Sequence, residues 1–588
     1  MQSFDDKLNS ILLSVEKPAR YVGGEWNTPD MTKKRDGDFC FCFPEVYEIG
    51  MSNLGVAILY DIINREPNFV AERAYAPWGD MGEAMKKNSL PLFSLETRKP
   101  VRDFTVVGFS VGFELLYTNV LYMFDLAGIP FRAKDRDDSY PIMLAGGPCS
   151  VNPAPFKDFF DVIVCGEGEV ADLEILKIVS NGRKNGLSKL QILEQIKGVQ
   201  GAYVPALHKD GEKVVKAVIP DFENAPYPER PLVPNIEAVH DRATIELYRG
   251  CASGCRFCQA GFWYRPIRER SAERCAKLAK EMVNSAGFDE ISLCSLSTSD
   301  YTGLEALEAE LSDFCREKKV NLSLPSLRIS SFKPEMAKDA KKNSLTFAPE
   351  AGTQRLRDVI NKNVSEEEIE KIAIAFEAGY QSIKLYFMLG LPTETDEDLD
   401  GIAEICKKLK WLYYQKRHQR GLNISVSCAV FIPKPCTPFQ WEAQIDLGEM
   451  HRRQTYLREK LREVKGVNFS YHGAETSVLE GALARGDEKL SYVIERAYAL
   501  GAKFDCWTEH FKWNVWTRAF SECGLDMADY VKAIDEDKAL PWDFIDTGVS
   551  KQYLLNQKHL AYKAVTTKNC REGCNGCGAN KLGRCSIC

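Results

Sequence analysis

The 588-residue sequence has no excess of charge of one sign, no uninterrupted apolar run, no internal repeat, no low-complexity segment and no histidine before His208. Each absence excludes something. A formal net charge of −7, from 76 basic and 83 acidic residues, gives no global drive toward nucleic acid or an acidic membrane, so any such contact needs a local patch. The opening MQSFDDKLNS has acidic residues where a secretory leader needs a basic start and an apolar core, which reads as a cytoplasmic protein. Phe104 to Phe124 is apolar enough to suggest a membrane span, but Gly108, Gly112 and Glu114 interrupt it. It reads instead as a buried strand and then a helix ending near Gly128. Hydrophobic content of 45% and charged content of 27% exclude wholesale disorder and fibrous classes. The length implies about three to five domains.

What is present is an α/β pattern. Residues 1–20 form an N-terminal helical segment. From 21 to 225, buried strands (DFCFCFP, VVGFSVGF, IMLAGGP, DVIVCGEGE) alternate with helices, which argues for a parallel, doubly wound, Rossmann-like domain. Its glycine-bearing loops follow the strands, where such sheets bind ligands. A proline-rich stretch, Asn224 to Pro234, leads into a second alternating unit, 226–445. Its candidate strands are TIELYRG, EISLCSL, NLSLPSLRIS, LTFAPEA, SIKLYFMLG and ISVSCAVFIP, with a capping box at Ser365 and Glu368. Six such units suggest a partial (β/α)6 barrel with function at the carboxyl ends of its strands. Residues 446–560 read as mostly helical, with tryptophans at 507, 513, 516 and 542, and 561–588 is a cysteine-rich tail.

Twenty cysteines in a long chain that bunch at short spacings indicate metal chemistry rather than a disulfide scaffold. Directly after TIELYRG comes Cys251-Ala-Ser-Gly-Cys255-Arg-Phe-Cys258. Three thiolates at that spacing suit three irons of a [4Fe-4S] cube and leave the fourth iron open. A structural zinc ion would want a fourth ligand nearby, and no histidine follows. The motif, with its strand before and Phe257 inside, resembles the core of the radical S-adenosylmethionine (SAM) superfamily. FAPEAGTQRLRDVINKN, KLYFMLGLPTETDEDL and AVFIPKPCTPFQW are similar to that superfamily's fourth-, fifth- and sixth-strand segments.

The resemblance implies that SAM chelates the open iron and that one electron, from a ferredoxin- or flavodoxin-type donor, releases a 5′-deoxyadenosyl radical. It places Cys251, Cys255 and Cys258 on the cluster, Phe257 near the adenine, and Ser297 and Ser299 at the methionine end, where the family usually has Gly-Gly-Glu. Glu350 and Arg355 would hold ribose hydroxyls and the SAM carboxylate, while Gly390 and Pro392 let backbone approach the adenine. Surface ion pairs and a plain turn are the competing readings. Gly146, Gly147, Gly166 and Gly168 look like features of cobalamin-binding domains joined to such barrels, with a sheet that has lost its ligand as the alternative. A cobalt-ligating histidine from residues 1–207 is impossible, because none exists there.

The resemblance leads to a transferase that methylates or otherwise modifies an unactivated carbon. A methylthiotransferase-like enzyme without cobalamin is one alternative. Cys40, Cys42, Cys149 and Cys165 do not form the cysteine set that subclass carries. A non-catalytic iron–sulfur protein is the other. In the tail, Cys570, Cys574 and Cys577 repeat the first spacing, while Cys574, Cys577, Cys585 and Cys588 make two Cys-x-x-Cys pairs. The residues leave zinc and a second iron–sulfur cluster both open. Two basic stretches, Lys407 to Gly421 and His451 to Lys465, tilt the substrate toward RNA or a ribosomal protein, against the plainer reading of solvated helix faces. RGDEK (Arg485 to Lys489) resembles a segment of an uncharacterised family with this domain order.

Overall fold

A computed structural model of the chain describes residues 4–33, 35–323, 345–419 and 421–587. The first sheet contains β1 (Gly37–Phe43), β2 (Phe69–Tyr75), β3 (Val106–Ser110), β4 (Ile142–Gly146), β5 (Val162–Val164) and β6 (Ala202–Tyr203). Its order is β2-β1-β3-β4-β5-β6, parallel except for β6. Both faces are covered, so β1 and β2 are buried at every position. One face packs on the helices Leu54–Arg65 and Gly168–Lys184, the other on Tyr117–Ala127 and C-terminal helices. The apolar stretch from Phe104 thus becomes β3 and a helix that Gly128 ends at φ 65°. No helix among the described residues is long and apolar enough to cross a membrane.

After β7 (Val214–Val215) the supposed linker lies flat on the molecule: Tyr227 is fully buried and donates to the Thr244 carbonyl at 2.7 Å. The barrel follows with β8 (Ala243–Glu246), β9 (Tyr248–Arg249), β10 (Arg268–Glu269), β11 (Glu290–Cys294) and β12 (Asn321–Ser323). It continues with β13 (Leu345–Glu350), β14 (Ser382–Leu389), β15 (Asn423–Val430) and β16 (Val467–Tyr471). The parallel runs are β12-β11-β8 and β13-β14-β15-β16, and the end of NLSLPSLRIS lies outside the described residues. In β14 and β15, Ile383, Leu385, Ile424 and Val426 are buried against the outer helices, while alternate residues such as Lys384 and Ser425 are half-buried. The Ser365–Glu368 capping box is present.

Two boundaries shift. The barrel sheet continues past residue 445, through the helix Leu447–Arg462 to β16. The helical region beyond is not a separate body, because its Trp516, Trp542 and Ile494 share one core with Phe109 and Phe124 of the first domain. Each large apolar side chain buried there contributes about 1.5–3 kcal/mol. Polar contacts fix the register: Thr118 Oγ1 donates to Asp505 Oδ2 (2.7 Å), and Asn152 Nδ2 to the carbonyls of Ala484 and Gly486 (3.0 Å each). RGDEK lies at this seam, where Glu488 pairs with Lys157 at 2.5 Å. Finally β17 (Ile545–Asp546) pairs with β7.

Part of the charge of the basic stretches is paired within the protein. Lys407, Lys408 and Lys416 pair with Glu404, Glu370 and Glu377 at 2.8, 2.8 and 2.6 Å. Arg452 pairs with Asp396 at 2.9 Å, Lys460 with Asp400 at 2.9 Å, and Arg453 with Glu394. These paired residues lie on solvated helix faces.

Candidate active site

The cysteine loop leaves β9 through Gly250 (φ 90°) and turns at Gly254 (φ 70°), positions that favour glycine. Cys258 then caps the short helix Gln259–Trp263. Two long-range anchors hold the loop. Arg256, fully buried, donates Nη1 to the carbonyls of Asp358 and Val359 (3.1 and 2.8 Å) and Nη2 to that of Val565 (2.6 Å). Asn361 donates Nδ2 to the carbonyls of Ser253 and Gly254 (3.1 Å each) and accepts from Thr567 N (2.7 Å). Cys251, Cys255 and Cys258 are all half-buried. Burial, with the Cys255 and Cys251 thiols beside it, pushes the Cys258 thiol up to about 12. Cationic metal is what turns such a crowded trio into thiolates. Among the described residues no three Cys, His, Asp or Glu side chains converge as ligands of a single ion would. A cube of iron and sulfide spans more space than an ion, and the donor set, three soft sulfurs on one loop, fits it.

The other expected residues divide into two groups. Phe257 packs against a buried cluster that includes Ala351, Leu356 and Leu391, the last of them in the turn Gly390–Pro392. Gly390 (φ 83°) is glycine for a further reason: a Cβ would stand 2.8 Å from Ile445. Its N–H donates to Glu394 (2.7 Å), whose carboxyl burial raises to about 7 against the Gly390 N–H and Arg453. Ser297 is buried, its carbonyl accepts from Tyr248 Oη (2.5 Å), and Ser299 sits in the same 3₁₀ turn. Glu350 ends β13 at φ 69°, a strained conformation for this residue, at an irregularity in the β13–β14 pairing. Burial raises its carboxyl despite Lys362 Nζ at 3.3 Å, and Lys362 also acts on the Cys258 thiol. Lys362, Asn361 and Arg256 are site residues that sequence reasoning missed; INKN was in view, but no local pattern marked it. Arg355 is spent differently, on Asp398 and on Thr393 Oγ1 and carbonyl (3.0 Å each).

Three of the four glycines expected to face cobalamin have internal reasons. A Cβ on Gly147 (φ 95°) would stand 2.8 Å from the Val111 carbonyl oxygen, and one on Gly166 (φ 115°) 2.3 Å from that of Ala217. Gly168 is filled by the Asp172 carboxylate at 2.9 Å, and only Gly146 has nothing closer than 4.0 Å. Packing within the protein is reason enough for glycine at 147, 166 and 168. The acids of this loop join the two domains instead. Arg268 takes Glu167 at 2.6 Å, and Arg249 takes Glu169 (2.5 Å) and Glu246 (2.8 Å). Burial alone would raise the Glu167 carboxyl, but Arg249 and Arg268 outweigh it and hold it down to about 2. In the tail, Cys570 is buried near Cys577 and Cys585, Cys574 is exposed, and Cys588 lies outside the described residues. The two-pair zinc arrangement leaves out Cys570, which the structure brings in.

Comparison with known proteins agrees with this geometry. Residues 55–205 match the family described as radical SAM proteins, N-terminal, and residues 245–406 the radical SAM superfamily. An uncharacterized protein of Methanocaldococcus jannaschii, MJ0966, is 31% identical over 409 residues, 69% of this chain and 83% of its own. The chain belongs to the radical SAM superfamily. An uncharacterized methyltransferase of Pyrococcus horikoshii, PH0819, is 23% identical over 50% of this chain and 63% of its own. The ribosomal protein uS12 methylthiotransferase RimO of Treponema denticola is 24% identical over 51% of this chain and 68% of its own. Among solved structures, the radical SAM methyltransferase TsrM of Kitasatospora setae covers 66% of this chain and 72% of its own at 12% identity and a TM-score of 0.44.

Proposed function

We propose that the chain is a radical SAM transferase that adds a methyl or methylthio group to an unactivated carbon, with a ribosomal component as its leading substrate class. One observation carries this reading: a trio of cysteines at the carboxyl end of the first barrel strand, on a loop that Arg256 and Asn361 lock to the segment after β13. The curated names of the Pyrococcus and Treponema relatives support group transfer, and the second supports the ribosomal substrate. Cys251, Cys255 and Cys258 would hold a [4Fe-4S] cluster, which would supply the one-electron chemistry for reductive cleavage of SAM to a 5′-deoxyadenosyl radical. The protein's residues do the rest. Phe257 and the Gly390–Pro392 turn receive the adenine, the Ser297–Ser299 turn the methionine end, and Glu350, steadied by Lys362, a ribose hydroxyl. The walls keep water and stray hydrogen donors from the radical. A reducing, cytoplasmic setting and a ferredoxin- or flavodoxin-type donor belong to this proposal.

Cobalamin as methyl carrier rests on the sheet order β2-β1-β3-β4-β5, whose switch point between β1 and β3 is a ligand crevice in doubly wound folds, and not on the glycines. The test is anaerobic turnover with SAM and a one-electron reductant. The wild type is expected to release 5′-deoxyadenosine and Cys251→Ala/Cys255→Ala/Cys258→Ala to release none; product from a folded triple variant would sink the assignment. Corrinoid content of the same preparation decides the carrier: about one per chain supports methyl transfer through cobalamin, and none removes it.

A further inference from the structure

The tail is folded onto the first cysteine loop. Cys570 N donates to the Ala252 carbonyl (2.9 Å), and Ser586 N to that of Ile267 (2.8 Å). Two motifs of identical spacing, Cys251–Cys255–Cys258 and Cys570–Cys574–Cys577, are therefore linked by one backbone hydrogen bond. Between them stands Arg265. It is 3% exposed, its Nε donates to the Gly261 carbonyl (2.9 Å), and neither terminal nitrogen has a hydrogen-bond partner. On one side Nη2 lies 3.5 Å from where a Cβ on Gly254 would be. On the other, the groups acting on the guanidinium are the Cys570 and Cys577 thiols and the Tyr553 hydroxyl. A buried guanidinium with idle donors is strongly unfavourable unless anions flank it.

The tail sulfurs are dressed as ligands are. Asn575 Nδ2 donates to Cys570 Sγ and Gly576 N to Cys574 Sγ, each at 3.5 Å. Gly573, Gly576 and Gly578, at φ 148°, 67° and 96°, fold the segment back on itself, and Cys585 comes close to Cys570. These sulfurs, like those of the first loop, do not converge on a point as the ligands of one ion would.

We propose that Cys570, Cys574, Cys577 and Cys585 hold a second four-iron cluster against the first, and that Arg265 is a positioning residue whose charge, set between the two, favours the reduced state of both. The second cluster takes one electron from an external reduced iron–sulfur or flavin protein and passes it to the first, which gives it up to the sulfonium bond. The donor is oxidised by one electron, and both clusters return to their starting state. The relay rests on the reading of the first site given above; the second metal site does not.

Iron and acid-labile sulfide counted on the full chain, reconstituted without oxygen, test it. The wild type should hold about eight irons, and Cys251→Ala/Cys255→Ala/Cys258→Ala about four, a count that reads the tail alone. Cys570→Ala/Cys577→Ala should also hold about four. If that tail variant does not fold, the first variant still decides. A folded first-loop variant with no iron, or with one zinc per chain, overturns the second cluster. If the first-loop variant keeps all the wild-type iron, the first site is wrong and the tail site stands. For Arg265→Gln, iron content should be unchanged and both midpoint potentials lower in a redox titration followed by electron paramagnetic resonance. Unchanged potentials would remove Arg265 from the proposal.

Discussion

The loop after β5 and the loop after β9 look alike in sequence: each follows a strand and carries a pair of glycines, Gly166 and Gly168 in one and Gly250 and Gly254 in the other. In space they are opposites. At Gly166 the room a side chain would need is occupied by the Ala217 carbonyl oxygen at 2.3 Å, whereas at Gly254 the nearest atoms are the ends of Arg265 and Asn361 at 3.5 and 3.6 Å. The first loop uses its glycines to bring backbone against backbone and its carboxylates to dock the barrel. The second uses them to turn the chain around its cysteines. A glycine-rich strand end is a cradle only where the missing Cβ leaves space.

Four changes would break or sharpen that contrast. Arg249→Met should act most strongly, because it strips the buried carboxylates of Glu167, Glu169 and Glu246 of a shared cation; we expect a loss of about 3–5 kcal/mol in urea unfolding, and a loss under 1 would mean the joint is idle. Gly166→Ala should cost about 3 kcal/mol by forcing a side chain into the Ala217 carbonyl at φ 115°. Gly254→Ala should cost about 1–2 kcal/mol, from its left-handed backbone alone, and keep its iron; parity of the two alanine variants would erase the distinction drawn here.

The fourth change is read through pH, at Asp172, the carboxyl that fills Gly168. Burial, with Glu169 adding to it, raises it from 3.8 to about 8. The folded state therefore binds the extra proton between about pH 4 and 8, and its stability falls as pH rises through that window. Asp172→Asn should melt higher than wild type at pH 8.5 by more than it does at pH 4, measured by calorimetry at both. An equal difference at the two pH values would mean the carboxyl titrates normally.

Much of the fold was legible because burial on both faces makes DFCFCFP a continuous apolar run, and burial of alternate positions gives SIKLYFMLG the period of a strand. FVAERAY was not, since Glu72 and Arg73 look like surface residues. They are buried because Ser94 and Thr97 satisfy Glu72, and Glu25 and Glu96 satisfy Arg73, all from distant segments. β16 was missed for the reverse reason: VNFSY is short and largely exposed, and only its pairing with β15 defines it. At the site the same division holds. The cysteines carry their chemistry in their spacing, whereas Arg256, Asn361 and Arg265 acquire theirs from carbonyls and thiols far along the chain.

The anchor between Arg256 and Val565 joins residues 309 positions apart. A ribosome adding about 5–20 residues per second needs roughly 15–60 s to travel from one to the other. For that interval the loop of the first three cysteines lacks the carbonyl that Val565 supplies. Delivery of iron, or protection from oxygen, has a window set by elongation, and it closes when the tail arrives.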